Sequence, residues 1–334
     1  MTGHAGESRR PIRVAIDAMG GENAPGFEVE GGLAAVRESD GATEVVFVGK
    51  KDAVEEELSR HDHAGLPVSV VHADEIIEMA EAPAAAVRRK RGASIVVAME
   101  LHKRGEADAL ISAGNTGAVA ASALLGLGML PSVRRPAIAS VFPTVSRPAV
   151  VLDVGASIDS RPTDLLEFAA MGEVFARYVL ERAEPRIALM NIGEEASKGS
   201  ALTQEAYALL KSSPMDFIGN VEGKGLLQGA ADVVVCDGFV GNIILKLVEG
   251  MKDLMTSAFA GRGEDMSSFT NQFDYAEYGG APLLGVDGVV IIAHGSSSPK
   301  AIKNAVKVAA RFVDTDLDAH IADRVREAAA TDVR

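Results

Sequence analysis

Short runs of β-branched and other apolar residues alternate along the chain with longer stretches in which apolar positions recur every three to four residues. The first pattern reads as strands and the second as helices. The runs predict strands at residues 13–17, 44–49, 68–71, 109–112, 138–142, 149–153, 186–191, 217–220, 233–237 and 289–294, and the helical periodicity is clearest over 164–182, 202–210, 242–259 and 300–326. Strands interleaved with helices are the signature of βαβ units, so an α/β fold with a mostly parallel sheet is expected. No repeat of fixed period and no low-complexity linker divides the chain. Residues 12–330 are therefore expected to form one α/β domain, preceded by a flexible extension at 1–11. A helical and loop excursion is expected near 248–280, because 261–280 is polar, Gly-rich and unpatterned.

The residues that follow the strands carry the chemistry. Seven times an apolar run ends in a polar residue beside glycine: Asp17 before Gly20 and Gly21, Ser112 before Gly114, Asp153 before Gly155, Asn191 before Gly193, Asn220 and Glu222 around Gly219 and Gly223, Asp237 before Gly238, and His294 before Gly295. In an open α/β sheet such carboxyl-terminal ends line one crevice, where ligands bind. Glycine there lets the backbone approach a ligand and present N–H groups to an anion. Ser112-Ala-Gly114-Asn115-Thr116-Gly117, between a strand and an apolar helix, suits a phosphate or carboxylate, since free N–H groups and the helix dipole converge on it; N-capping by Asn115 or Thr116 is the alternative. Neither a P-loop nor a dinucleotide fingerprint is present.

Other positions have two readings each. Lys198, after the Asn191 turn, places a positive charge where a phosphate or an oxyanion would need it, or pairs with Glu194 or Glu195 on an exposed loop. Asn242 caps the helix that contains Lys246, donates to a carbonyl oxygen, or does both, with Asp237 orienting a donor. His294, at a predicted strand end before a Ser-rich turn, is a proton donor or shuttle, or a surface group. Along 248–259, Met251, Leu254, Met255 and Phe259 share one helical stripe, which reads as core or dimer packing or as a lipid-touching face. No cluster has zinc-ligand spacing, since His61, His63 and His72 lack a neighbouring ligand set, and no metal or other cofactor is expected.

Composition narrows the classes. The chain of 334 residues is 47% hydrophobic and 24% charged, the balance of a globule with a sizeable core. Its lone Cys236 cannot form an intrachain bridge, which points to a reducing, cytoplasmic setting. A net charge of −14, no Trp and 4% aromatics argue against nucleic acid as a partner. The charge is uneven: across residues 88–104, Arg88, Arg89, Lys90, Arg91, Lys103 and Arg104 face only Glu100, a local +5 in a molecule whose remainder sums to −19. That is either a solvated helix face or a dock for an acidic protein. The first residues lack the apolar centre of a signal peptide. Residues 109–133 carry no charge, yet their first third is polar and Gly-rich, so a buried helix is expected there and not a membrane span.

Taken together, Asp17-Ala-Met-Gly20-Gly21-Glu22-Asn23-Ala-Pro25, Ser112-Ala-Gly-Asn-Thr-Gly-Ala118, Leu152-Asp-Val-Gly-Ala156, Asn191-Ile-Gly-Glu-Glu195, Gly219-Asn-Val-Glu-Gly223, Asp237-Gly-Phe-Val-Gly-Asn242 and Tyr278-Gly-Gly-Ala-Pro-Leu-Leu-Gly285 with Ala293-His-Gly-Ser-Ser297 resemble the bacterial phosphate acyltransferases of phospholipid synthesis, in order over nearly the whole chain. The resemblance implies reversible transfer of a long acyl chain from acyl carrier protein to inorganic phosphate, giving acyl phosphate for a downstream glycerol-3-phosphate acyltransferase. It implies a three-layer α/β/α sandwich akin to phosphate acetyltransferases and isocitrate-dehydrogenase-like enzymes, a homodimer, and peripheral attachment to the inner face of the cell membrane. It also implies that Lys198 and Asn242 are catalytic, with Asp17, Gly20, Gly21, Asn23, Ser112, Gly114, Asn115, Thr116, Asp153, Asn191, Asn220, Glu222, Asp237 and His294 around phosphate and substrate. Arg88–Arg91 would then dock the carrier protein. The chain departs from the family pattern at Glu22, usually Asp, and at Ser157, usually Asn. Rival readings are an acetyl-CoA-type phosphate transferase, a decarboxylating dehydrogenase of the same architecture, which would want paired Asp ligands that are not found, and a non-catalytic binder of acyl carrier protein.

Overall fold

The computed structural model describes residues 10–259 and 279–330. The expected extension up to residue 9, most of the loop expected at 261–280 and the side chain of Phe259 lie outside the described residues.

The alternating pattern resolves into two sheets rather than one. In the first, β1 (Ile12–Asp17), β2 (Thr43–Gly49), β3 (Val68–His72), β4 (Ala109–Ser112), β5 (Ala137–Ile138), β11 (Ala281–Leu284) and β12 (Val289–Ile292) lie in the order β3-β2-β1-β4-β12-β11-β5. Its five strands from β3 to β12 are parallel, and β11 turns antiparallel to both β12 and β5. The second sheet contains β6 (Ser140–Phe142), β7 (Ala149–Leu152), β8 (Ile187–Met190), β9 (Phe217–Val221) and β10 (Val233–Val235) in the order β6-β7-β10-β8-β9, parallel except for β6. The central strands are buried on both faces, as parallel sheets covered by helices must be, which is why they read as unbroken apolar runs such as AVVL and VVII.

The described helices are α1 (Gly26–Glu38), α2 (Lys51–Ser59), α3 (Pro83–Arg89), α4 (Ser94–Lys103), α5 (Thr116–Gly126), α6 (Pro162–Tyr178), α7 (Ala201–Ser212), α8 (Gly223–Gln228), α9 (Gly238–Phe259), α10 (Pro299–Asp314) and α11 (Leu317–Ala330). α6 is buried over most of its length, with Phe168, Ala169, Ala170 and Met171 fully enclosed against β7, β10 and α11. α1 and α10 pack on each other over the first sheet.

Two expected elements divide, each for a local reason. The strand expected at 138–142 changes sheets at Ala139: Ile138 pairs with Leu283 in the first sheet, and Ser140 pairs with Val151 in the second. The helix expected at 300–326 stops at Asp314, where the Thr315 hydroxyl bonds back to the Arg311 carbonyl and Asp316 takes a left-handed φ of 49°. β11 was not foreseen. Its Ala-Pro-Leu-Leu run is short, and Pro282 has no N–H to donate, although its carbonyl accepts from the Ala139 N–H at 3.0 Å.

Residues 109–133 form β4 and the helix α5, not a span, and among the described residues no helix is long and apolar enough to cross a membrane.

Candidate active site

Between the two sheets lies a cleft of about 940 Å³. Its walls come from the residues that follow four parallel strands: Gly114, Thr116 and Gly117 after β4, Val154 to Ala156 and Ile158 after β7, Gly238, Phe239 and Asn242 after β10, and Ala293 to Gly295 after β12. Strand direction thus brings carboxyl-terminal ends from both sheets onto one space, the place an α/β architecture offers a ligand. The sheet-crossing strand contributes Ile138, Ser140 and Val141, and α9 adds Leu245, Lys246 and Glu249.

Asp153 holds this junction together. It is fully buried, and its carboxylate accepts four backbone N–H bonds: from Ile138 at 2.9 Å, Gly155 at 3.1 Å, Ala156 at 2.9 Å and Ser157 at 2.7 Å. Burial still pushes its pKa above the ordinary carboxylate value, against those donors. The first turn of α9 rests on the same residue. A Cβ at Gly241 would run into the Asp153 carbonyl and one at Gly238 would come within 2.6 Å of the carboxylate, so only glycine allows the helix this close.

A second buried acid supports the opposite wall. Asp17 accepts the Ser112 hydroxyl at 2.7 Å and the Met19 N–H at 3.2 Å, and the Ser112 oxygen in turn accepts the Gly114 N–H at 3.1 Å. Gly20 packs on this turn, where a Cβ would stand 2.7 Å from the Gly114 nitrogen. The expected anion cradle is therefore partly occupied by its own side chains. Asn115 accepts from the Ala118 N–H at 3.0 Å and donates to the Met79 carbonyl at 2.9 Å, so it caps α5 and clasps a neighbouring loop. The N–H groups of Thr116 and Gly117, which helix geometry leaves without intrahelical partners, belong to residues on the cleft wall.

His294 lies on the same wall. Its Nδ1 accepts from the Ser296 N–H at 3.2 Å and lies 2.8 Å from the Ser296 hydroxyl oxygen. Across the cleft stands Asn242, exposed, with its side-chain oxygen 3.5 Å from where a Gly155 Cβ would be. One turn further along α9, the Lys246 ammonium pairs with Glu249 at 2.8 Å.

Other sequence-predicted residues fall elsewhere. Lys198 is exposed on the loop after β8 and does not line the cleft; its carbonyl accepts the Asn191 amide at 3.1 Å. Asn191 and Asn220, the latter donating to the Glu195 carbonyl at 2.9 Å, shape that loop. Glu222 is an exposed residue ahead of α8, and Asn23 is exposed, its carbonyl accepting from Gly26 at the start of α1. Gly21 sits above Glu28, and Asp237 caps α9 by accepting from Phe239 at 3.0 Å and Val240 at 3.1 Å.

Of the basic run, Lys90 and Arg89 clasp Glu81 at 2.7 and 2.9 Å, while Arg88 and Arg91 are exposed with no acidic partner among the described residues. Pro83 and Ala84, at the start of the same helix, line the cleft. On α9, Met251 and Leu254 are exposed and Met255 half-buried, and the exposed apolar face continues back through Leu247 and Ile243 to Phe239. Among the described residues no group of His, Cys, Asp or Glu is placed to hold a metal ion.

Sequence reasoning missed Lys246 and Glu249 as cleft residues; their spacing of one and two turns from Asn242 on one helix was the available signal. It also missed Glu28, buried under the Gly21 turn with one carboxylate oxygen unpartnered. Burial, assisted by the charge of Asp17, raises the pKa of Glu28 to about 7.

The fold is of the phosphotransacetylase-like α/β class. A phosphotransacetylase from Streptococcus pyogenes superposes with a TM-score of 0.61 at 17% identity, covering 92% of this chain and 95% of that one. The EutD phosphotransacetylase from Staphylococcus aureus gives 0.59 at 16%, over 91% and 94%. Sequence similarity is closer elsewhere: the phosphate acyltransferase of Geobacter sp. (strain M21) is 46% identical over 97% of this chain and 95% of its own length. That of Heliobacterium modesticaldum (strain ATCC 51547 / Ice1) is 47% identical over 94% and 98%. Residues 12–320 match the family described as "Fatty acid synthesis protein". The chain belongs to this phosphate acyltransferase family.

The raised pKa of Glu28 has a measurable consequence. Its folded value of about 7 against an ordinary 4.5 means that the native state retains a proton the unfolded chain has lost. The associated stability is full below pH 4.5 and is lost as pH rises through about 7. Glu28→Gln, which keeps the shape without ionising, is expected to gain up to about 3 kcal/mol over the native chain above that range. Urea unfolding at about pH 5 and about pH 8 checks this, and parallel pH slopes for the two proteins would refute it.

Proposed function

We propose that the cleft catalyses reversible transfer of a long-chain acyl group from acyl carrier protein to inorganic phosphate. The observation that carries this reading is that one cleft joins a helix terminus and polar turns, at Thr116, Gly117 and His294, to an apolar lining from Ala121, Leu124, Val141 and Leu245, in a chain of the phosphate acyltransferase family. A phosphate oxygen attacks the thioester carbonyl carbon, a C–O bond forms, and the carbonyl oxygen becomes an oxyanion. The C–S bond then breaks, and the carrier's thiolate leaves and takes up a proton. The nucleophile is already anionic, so positioning and charge stabilisation are the main demands.

The Thr116 and Gly117 N–H groups at the positive end of α5 and the His294 imidazole bind the phosphate, and Asn242 donates to the carbonyl oxygen. Asp17 and Asp153 act as supports for these walls. Lys198 enters the proposal through the family resemblance, as a cation at the rim. Its parent loop follows β8, which pairs with the strand that leads into α9.

The carrier protein is proposed to dock at Arg88, on the short helix that begins beside the cleft, and Arg91, just past its end, because an acidic partner is steered to a positive patch on a negative molecule. A homodimer and contact with the inner face of the cell membrane are proposed for the exposed apolar face of α9. The half bearing Phe239, Ile243 and Leu247 would meet a second copy, and the half bearing Met251, Leu254 and Met255 would meet lipid.

Incubation with palmitoyl-carrier protein and phosphate is expected to yield acyl phosphate, with acetyl-CoA as a poor donor; turnover of acetyl-CoA alone would move the protein to the short-chain class. Lys198→Ala is expected to lose most of this activity while melting normally. Near-normal turnover there, with loss in Lys246→Ala, would transfer the cation's role to Lys246. Replacing Arg88 and Arg91 together by Glu is expected to raise KM for the carrier-linked donor about tenfold, with kcat unchanged and a weaker dependence on salt. An unchanged KM would remove this patch from the docking site. Leu254→Glu is expected to abolish flotation with anionic vesicles while the sedimenting mass stays that of a dimer; flotation equal to the native protein would remove this helix from the membrane surface.

A further inference from the structure

We propose that the cleft face of α5 seats the acyl chain, and that Ala120 and Ala121 set the chain length accepted. This rests on the acyl-transfer reading and adds where the tail lies and what limits it. α5 carries no charged residue. Ala118, Val119, Ser122 and Ala123 are buried on its inner face, and Gly117, Ala120, Ala121 and Leu124, at helical spacings of three and four, line the cleft. A helix that is apolar all round belongs in an interior. This one leaves Leu124 41% and Leu125 49% exposed. Ile138, Val141 and Leu245 line the same space, so it is apolar on several sides. The end of the groove at Thr116 is polar. A ligand with one polar head and a long apolar tail matches this distribution, and the thioester of a long acyl chain has that form.

The dimensions agree. From Thr116 to Leu124 the helix advances about 12 Å at ~1.5 Å per residue. An extended chain advances ~1.2 Å per bond, a third of the span of one residue's three backbone bonds, so roughly ten methylenes lie along this face. At ~30 Å³ for each group the size of a water molecule, a palmitoyl chain takes on the order of 500 Å³. The cleft of about 940 Å³ has room for it and for phosphate. Ala121 stands about 7 Å along the helix from Thr116, roughly six bonds into the tail. A bulky side chain there would meet a palmitoyl chain and clear a hexanoyl one.

Two readouts test the assignment on the full chain, with Ala121→Phe and, as a milder second variant, Ala120→Leu. One is binding of a fluorescent long-chain fatty acid. The other is acyl phosphate formation from hexanoyl- and palmitoyl-carrier protein. Both variants are expected to melt within a few degrees of the native protein and to bind the fatty acid at least tenfold more weakly. They are also expected to lower the ratio of palmitoyl to hexanoyl kcat/KM by about tenfold or more, within the range that small changes in an apolar pocket produce. Fatty-acid binding unchanged in both variants overturns the groove, whatever the activity. Equal loss with both donors also overturns it, since a tail seat must discriminate by length. Unchanged binding together with a fall in sedimenting mass would assign the α5 face to a second copy of the chain instead. If the native protein makes no acyl phosphate yet its fatty-acid binding responds to the variants, the transfer reading fails and the groove stands.

Discussion

The four backbone N–H bonds to the buried carboxylate of Asp153 are the constraint on which the rest of the cleft depends. One of them reaches Ile138, in the strand that passes from the first sheet to the second, and the other three fold the turn after β7. The same residue is the surface on which the first turn of α9 rests through Gly238 and Gly241. A single buried acid thereby sets the spacing between the sheets and the height of Asn242 above the cleft. Removing it would leave the two buried donors, the N–H groups of Ile138 and Ser157, unsatisfied at a cost of about 1–3 kcal/mol each, and would release those of Gly155 and Ala156 at the cleft.

The opposite wall repeats the logic with a different partner. Ser112, whose hydroxyl donates to Asp17, takes up the Gly114 N–H, so the glycine turn is held from below and its remaining helix-terminal groups belong to the cleft. Side chains that sequence patterning associates with a ligand are in part structural. Asp153, Asp17, Asn115, Asp237 and Asn191 hold backbone, and the ligand-facing surface is made largely of what they hold in place. Function and stability are coupled at these positions because the polar turns that shape a site must satisfy their own backbone groups first.

Charge and apolar surface divide the exterior of the site. The exposed Arg88 stands on the short helix whose start lines the cleft and the exposed Arg91 just past its end, while the apolar face of α9 leads away from the cleft. Two members of the basic run are consumed by Glu81. The net charge of a segment overstates the charge it can present, because neighbours distant in the sequence's local pattern neutralise part of it.

The sequence by itself determined the α/β class, the identity of most strands and the polar-glycine turns at their ends, because strand burial and turn chemistry are written in local periodicity and residue type. Which turns share a space was decided only by the tertiary structure. Seven similar signals were divided between two sheets, and Gly114, Asp153's turn, Asn242 and His294 came together while Lys198, Asn191 and Asn220 gathered on a neighbouring loop. The change of sheet at Ala139, the burial of Glu28 and the bare face of α5 depend on contacts between residues far apart in the chain, and no local pattern carries that information.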